Sequence, residues 1–175
     1  MRERVKWASL AAICALVVLS AFSSACARSL ITARIVDAES GEPIREAIVA
    51  YWWYTEKLIV PGMPTKIVTI EAGEEISDYE GAVKMPKYST LLNDLDMVAY
   101  KKGYVCWSNR KTFPGWLDKN DFKLEDDIVI RLERLTEDYS KKDHAWFFRA
   151  MTTGFPQGER LAEAVRIEMR LMRDK

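Results

Sequence analysis

The residues that could do chemistry in this chain are few and scattered. There is one histidine, His144, set in Lys-Lys-Asp-His-Ala, and there are three cysteines, Cys14, Cys26 and Cys106. A hydrolytic zinc centre needs three protein ligands, with histidines usually paired. One histidine cannot supply them, and neither HExxH nor HxxE occurs. A GxSxG nucleophile is absent, as are phosphate loops and dinucleotide fingerprints, the glycines being set singly at turns. Oxygen ligands cluster once, in Asp118-Lys119-Asn120-Asp121 with Glu125-Asp126-Asp127 close behind. Calcium takes such groups, but the glycine and the bidentate glutamate spacing of a calcium loop are missing, so a hydrated turn is the plainer reading. The expectation is no catalytic residue, no metal and no cofactor.

Aromatic side chains are the one functional suggestion with substance. Trp107, Phe113, Trp116 and Phe122 lie in or beside a connection spanning 108–126, long for a compact domain, with Phe113-Pro114-Gly115-Trp116 at its tip. Trp107, Phe113 and Trp116 are the candidate ligand-binding residues. They could stack sugar rings, rest at a membrane interface or dock a protein. Folding of the loop back onto its own domain is the competing account.

The elements that hold these residues read as strands first and helices last. Ile31, Ala33 and Ile35 alternate with Thr32 and Arg34, and Ala47, Val49, Tyr51 and Trp53 alternate with Ile48, Ala50, Trp52 and Tyr54. Between the two runs stands the turn-forming Asp37-Ala38-Glu39-Ser40-Gly41-Glu42-Pro43, so the pattern predicts a β-meander. Pro61-Gly62-Met63-Pro64 breaks the chain. A strand over 66–71 is expected to turn at Ala72-Gly73-Glu74-Glu75, and Val83 and Met85 alternate inward before Pro86. Runs 95–100 and 104–108 form the next pair, and Ile128, Ile130 and Leu132 mark a closing strand. From Thr136 the period changes. Ser140 with Asp143 has the form of a capping box ahead of a helix that Gly154 stops. A second helix runs from about Glu159 to Arg173, with Leu161, Ala164 and Val165 on its apolar side and Glu168 out of place there. Since both faces of 48–54 are apolar, the helical tail is expected to cover Ile48, Ala50, Trp52 and Tyr54.

The segment Ala33, Ile35, Asp37, Ser40-Gly41-Glu42-Pro43-Ile44, Ala47, Val49 resembles the opening of a carboxypeptidase regulatory-like domain. Ser77-Asp78-Tyr79-Glu80-Gly81 and Lys102-Gly103-Tyr104 follow in that family's order, over about 30–135. The resemblance implies an all-β sandwich of the transthyretin/Ig-like kind, of about seven strands, here with a C-terminal two-helix extension. It concerns an accessory domain, so it implies no catalytic residues. Domain boundaries follow as 1–25, 26–136 and 137–175.

Residues 1–25 have the parts of an export signal: Arg2, Arg4 and Lys6, then an apolar run over 8–22, then Ser23-Ser24-Ala25. The run is short for a membrane span. Small-small-Ala before Cys26 resembles a bacterial lipobox, which implies a diacylglycerol on Cys26, although Ser23 stands where leucine is usual. Ala25-Cys26-Ala27 equally fits ordinary secretion with cleavage before Arg28. Acylation would leave about four residues, roughly 14 Å extended, between the membrane and the first strand. Either route leaves Cys106 alone, with no intrachain disulfide, and a buried strand position suits it as a small hydrophobe. Charges balance at 26 basic and 26 acidic, which offers nothing to nucleic acid. The sequence therefore predicts a non-catalytic, membrane-anchored envelope lipoprotein acting as a structural or protein-interaction module. A glycan-binding module using the aromatic loop and a soluble periplasmic protein are the alternatives.

Overall fold

Alternation of apolar and polar residues produces seven strands among the described residues of the computed structural model, which are 29–58, 65–156 and 158–172. They are β1 (Leu30–Asp37), β2 (Ile48–Lys57), β3 (Lys66–Ile76), β4 (Ala82–Pro86), β5 (Asp94–Tyr100), β6 (Trp107–Ser108) and β7 (Asp127–Leu132). Two helices follow, α1 (Lys141–Thr152) and α2 (Glu159–Leu171). The export signal, Cys26 and the break at 61–64 lie outside the described residues.

The strands form two sheets, β4-β1-β7 and β3-β2-β5-β6, layered as in a sandwich. Ile31, Ala33 and Ile35 of β1, Val83 and Met85 of β4, and Ile128, Ile130 and Leu132 of β7 meet Val49, Tyr51, Trp53, Met97 and Ala99 in one buried core. Pairing is antiparallel except between β1 and β7, which run parallel in register from Thr32–Asp127 to Asp37–Leu132. The expected meander is corrected here: β1 and β2 lie in different sheets. Asp37 is the reason. Its Oδ1 accepts the N–H groups of Glu39 and Ser40, each at 3.0 Å, and its carbonyl accepts the Gly41 N–H at 2.9 Å. The chain curls, Ile44 N–H donates back to Ile35 O at 2.9 Å, and β2 leaves for the opposite layer.

A second correction concerns 72–75, which continue β3 opposite β2 rather than turning. Gly73 faces Tyr51 across the ladder, and a Cβ there would run into the Tyr51 ring. The glycine thus serves close approach within a strand. The β2–β3 register shifts between Trp53 and Tyr54, a bulge that keeps the long pair together. The expected strand over 104–108 shortens to β6, because Tyr104 bridges to Arg134 and Val105 N–H donates to Glu133 O at 2.8 Å.

The outer face of β2 and β5 is covered by the helices. Ala50, Val98, Tyr100 and Cys106 are buried with Phe147 and Phe148 of α1 and Leu161 and Ala164 of α2, with Ile48 packed alongside. Trp52 stands farther out, its indole near Phe155 (5.9 Å between ring centres) and its Nε1–H donating to Thr69 Oγ1 at 3.0 Å. Tyr100 stacks on Phe148 at 4.3 Å. Its hydroxyl donates to Glu168 Oε1 at 2.5 Å, which is why a glutamate belongs on the inner side of α2. Ser140 Oγ accepts the Asp143 N–H at 3.2 Å and caps α1. Gly158 gives α2 no side-chain cap. Glu74 of β3 reaches over instead, accepting the Leu161 N–H at 2.7 Å and the Arg160 N–H at 3.3 Å, a carboxylate placed where a helix start favours one.

Gly73→Ala is expected to cost about 1–3 kcal/mol by overpacking against Tyr51. Urea unfolding followed by tryptophan fluorescence will show a lowered midpoint at unchanged slope.

Candidate functional site

The long connection begins where β5 can no longer pair with a strand. Asn109 takes over: its Oδ1 accepts the Met97 N–H at 2.8 Å and its Nδ2–H donates to Leu95 O at 2.7 Å. Arg110 then pairs with Asp96 at 2.9 Å. Burial raises the Asp96 carboxyl above its usual range, with Arg110 pulling it back down. From Arg110 to Lys119 the chain doubles on itself. Lys119 N–H bonds Arg110 O at 2.8 Å, Thr112 N–H bonds Leu117 O at 2.9 Å, and Lys111 pairs with Asp118 at 2.6 Å. At the tip, Gly115 (φ 101°) and Trp116 (φ 60°) are both left-handed.

Two of the three aromatic candidates pack on Phe147, and the third lies apart. Phe113 is taken up by packing, with ring centres 5.4 Å from Phe147, 5.5 Å from His144 and 5.5 Å from Tyr139. Trp116 rests edge-on against Phe147 at 5.1 Å and remains 42% exposed. Trp107 lies in β6, with Phe122 edge-on at 5.8 Å and the Lys119 ammonium 4.5 Å from its ring centre. No common platform forms from the three rings. Burial lowers the Lys119 ammonium from its usual range, with Asp121 and Glu133 opposing.

Between the edges of the two sheets, β6 and the returning loop on one side and β7 on the other, runs an open groove of about 660 Å³. Trp107, Phe122, Ile128, Val129 and Arg131 line it, with Lys119 and Asp121 at the loop side. Backbone bonding fixes what β7 presents to it. Asp126 O accepts from Thr32 N–H and Leu132 O from Ala38 N–H, at 2.8 and 2.9 Å. Even-numbered peptide groups of β7 therefore face β1, and the odd-numbered ones face the groove. Glu133 O, bonded to Val105 N–H, closes one end. The peptide groups of Asp127, Val129 and Arg131 are left as an open edge, with Val129 57% exposed between two charged neighbours. Sequence reasoning missed this edge. Its one signal is an aliphatic residue on the polar face of the cleanest alternating run.

Behind β6 sits the one buried imidazole. His144 Nε2 accepts the Cys106 N–H at 2.9 Å, which assigns the neutral ring, and Nδ1 has no hydrogen-bond partner. Burial holds its pKa below the ordinary value, with Glu168 opposing. The Cys106 thiol is buried and pushed upward by desolvation. The histidine bonds the cysteine's peptide group, so the arrangement pins α1 to the sheet. It is not that of a thiolate and its base. Among the described residues no three His, Cys, Asp or Glu side chains converge as a metal site. Of the acidic residues singled out above, Asp118 is paired with Lys111 and Asp126 with Lys87.

No family model matches the chain, and no curated protein matches it. Among solved structures, a 3-chlorocatechol 1,2-dioxygenase from Rhodococcus opacus 1CP is 14% identical, the match covering 61% of this chain and 59% of that one at a TM-score of 0.37. A 9R-lipoxygenase from Cyanothece PCC8801 is 10% identical over 70% of this chain and 22% of its own, at 0.31. The chain thus spans about three fifths of the first protein and a fifth of the second. At such TM-scores neither likeness bears on the chemistry of this chain.

His144 yields a pH prediction. Its folded pKa lies below the unfolded value of 6.5, so below pH 6.5 the unfolded chain takes up a proton that the folded one resists, and stability falls. Urea midpoints are expected to drop between pH 7 and pH 5 for the native chain. His144→Gln, which keeps an acceptor without titrating, will flatten that drop.

Proposed function

We propose that this chain is a non-catalytic interaction module held at a membrane surface of the cell envelope by a lipid on Cys26, and that it receives an extended segment of a partner protein along β7. The observation that carries the binding half is the open edge at Asp127, Val129 and Arg131, facing a groove of mixed lining in which Trp107, Phe122 and Ile128 stand among charged side chains such as Lys119 and Asp121. Main-chain bonding along such an edge supplies affinity, and alternate side chains supply selectivity. The buried thiol and imidazole are turned to structural use.

Kinship with carboxypeptidase regulatory-like domains of the transthyretin-like class is part of this reading. Its support is that the motif residues bond one another: Tyr104 Oη–H donates to Asp37 Oδ2 at 3.0 Å, and Ile35 N–H donates to Gly81 O at 2.8 Å. Asp37 is held well below the usual carboxylate range, first by the Ser40 N–H and further by Tyr104, Glu39 and Arg134. A glycan-binding role has one residue in its favour, the half-exposed Trp116. Loss of glycan retention on Trp116→Ala would favour that role.

Val129→Pro tests the edge. It removes an outward N–H at a position where an edge strand tolerates proline, so the fold survives while in-cell photocrosslinks from Arg131 to a partner are lost. Unchanged crosslinking sinks the edge reading. Cys26→Ser is expected to abolish palmitate labelling and to move the protein from the membrane to the soluble fraction.

A further inference from the structure

Among the described residues, five of the ten large exposed aliphatic side chains gather at one end of the domain. The two sheets share one pole, formed by the start of β1, the end of β2, the start of β3 and the β4–β5 loop. The closeness of these parts is fixed by bonds: Lys87 N–H to Ser29 O at 2.9 Å, Trp53 Nε1–H to Pro86 O at 3.0 Å, and Thr55 Oγ1–H to Leu92 O at 2.9 Å. At this pole stand Leu30 (49% exposed), Leu58 (63%), Ile67 (49%), Leu91 (87%) and Leu92 (73%). The leucine pair is presented by a built turn, since Asn93 Nδ2–H donates to Ser89 O at 2.8 Å and Leu91 N–H to Ser89 Oγ at 3.4 Å. The opposite pole carries the Asp37, Gly81 and Gly103 turns, with Tyr79 exposed in the Gly81 turn.

We infer that this pole seats on a phospholipid bilayer, with Leu91 and Leu92 entering the acyl boundary. Two observations choose lipid over protein. The described chain begins here, at Ser29, three residues after Cys26, and three residues of extended chain reach roughly 11 Å at most, while the headgroup layer is itself roughly 5–8 Å deep. A chain acylated there brings this pole, and no other, into contact with the surface. Lys57 and Lys66, moreover, lie directly opposite each other in the β2–β3 ladder. Like charges so placed repel, and lipid phosphates relieve them. The nearby acids do not balance them: Asp126 is paired with Lys87, Asp94 lies opposite Tyr54, about 10 Å behind Lys57 along β2, and Glu56 sets one carboxylate against two ammonium groups.

The inference deepens the anchor reading proposed above, and the test separates the two. The full chain from cells, carrying an environment-sensitive fluorophore at Leu91→Cys or at Tyr79→Cys, is mixed with vesicles of phosphatidylethanolamine and phosphatidylglycerol bearing nitroxide lipids. Cys106 is buried and does not label. Quenching at 91 is expected to exceed that at 79 several-fold, and Lys57→Glu with Lys66→Glu to reduce it. Intact mass reads the acyl group independently. An acylated chain whose residue 91 remains in water keeps the anchor and overturns the inference. A chain without acyl that is still quenched at 91 does the reverse, and absence of both overturns both.

Discussion

A central strand pair that is apolar on both faces has to be buried twice. In β2 and β5 one set of side chains closes the core between the sheets, and the other set cannot be left to water. The helices answer that demand, and their attachment is polar as well as apolar. Glu74 holds the start of α2, Tyr100 holds Glu168 further along it, and the Cys106 peptide group holds His144 in α1. Each of these groups would be penalised if buried alone, so together they permit one placement of the helices among the many that apolar contact would tolerate.

Much of this was legible in the residues because period and burial coincide. The two alternating sets in 47–54 went to opposite faces as their chemistry requires, and the alternation of 128–132 marked β7. What failed was local turn chemistry. Asp37-to-Pro43 looks like a hairpin connection, yet the carboxylate of Asp37 organises a curl that changes layers. Gly73 looks like a turn glycine, yet it makes room for a tyrosine from the neighbouring strand. In both cases the deciding partner lies far along the chain, where no window of sequence reaches.

The site was less legible for a related reason. An aromatic residue in a long loop announces apolar surface without announcing who covers it. Phe113 found Phe147, Tyr139 and His144 within the same chain, and Trp107 found Phe122 and Lys119. The features that remain unclaimed, an unpaired strand edge and a pole of leucines, are made by topology. Val129 is unremarkable in sequence. It matters because no strand follows β7 on that side, and Leu91 and Leu92 matter because four strand ends meet beside them.

The parallel pairing of β1 with β7 has a mechanical consequence. The chain enters β1 at one pole and leaves β7 at the other, so tension between these two points slides the strands lengthwise past each other. All the ladder bonds then share the load at once, whereas an antiparallel pair pulled from one end would open bond by bond like a zip. A domain tied at its entry and tugged from its far side would resist as a rivet does, through its whole seam, and would give way only when the seam failed as a unit.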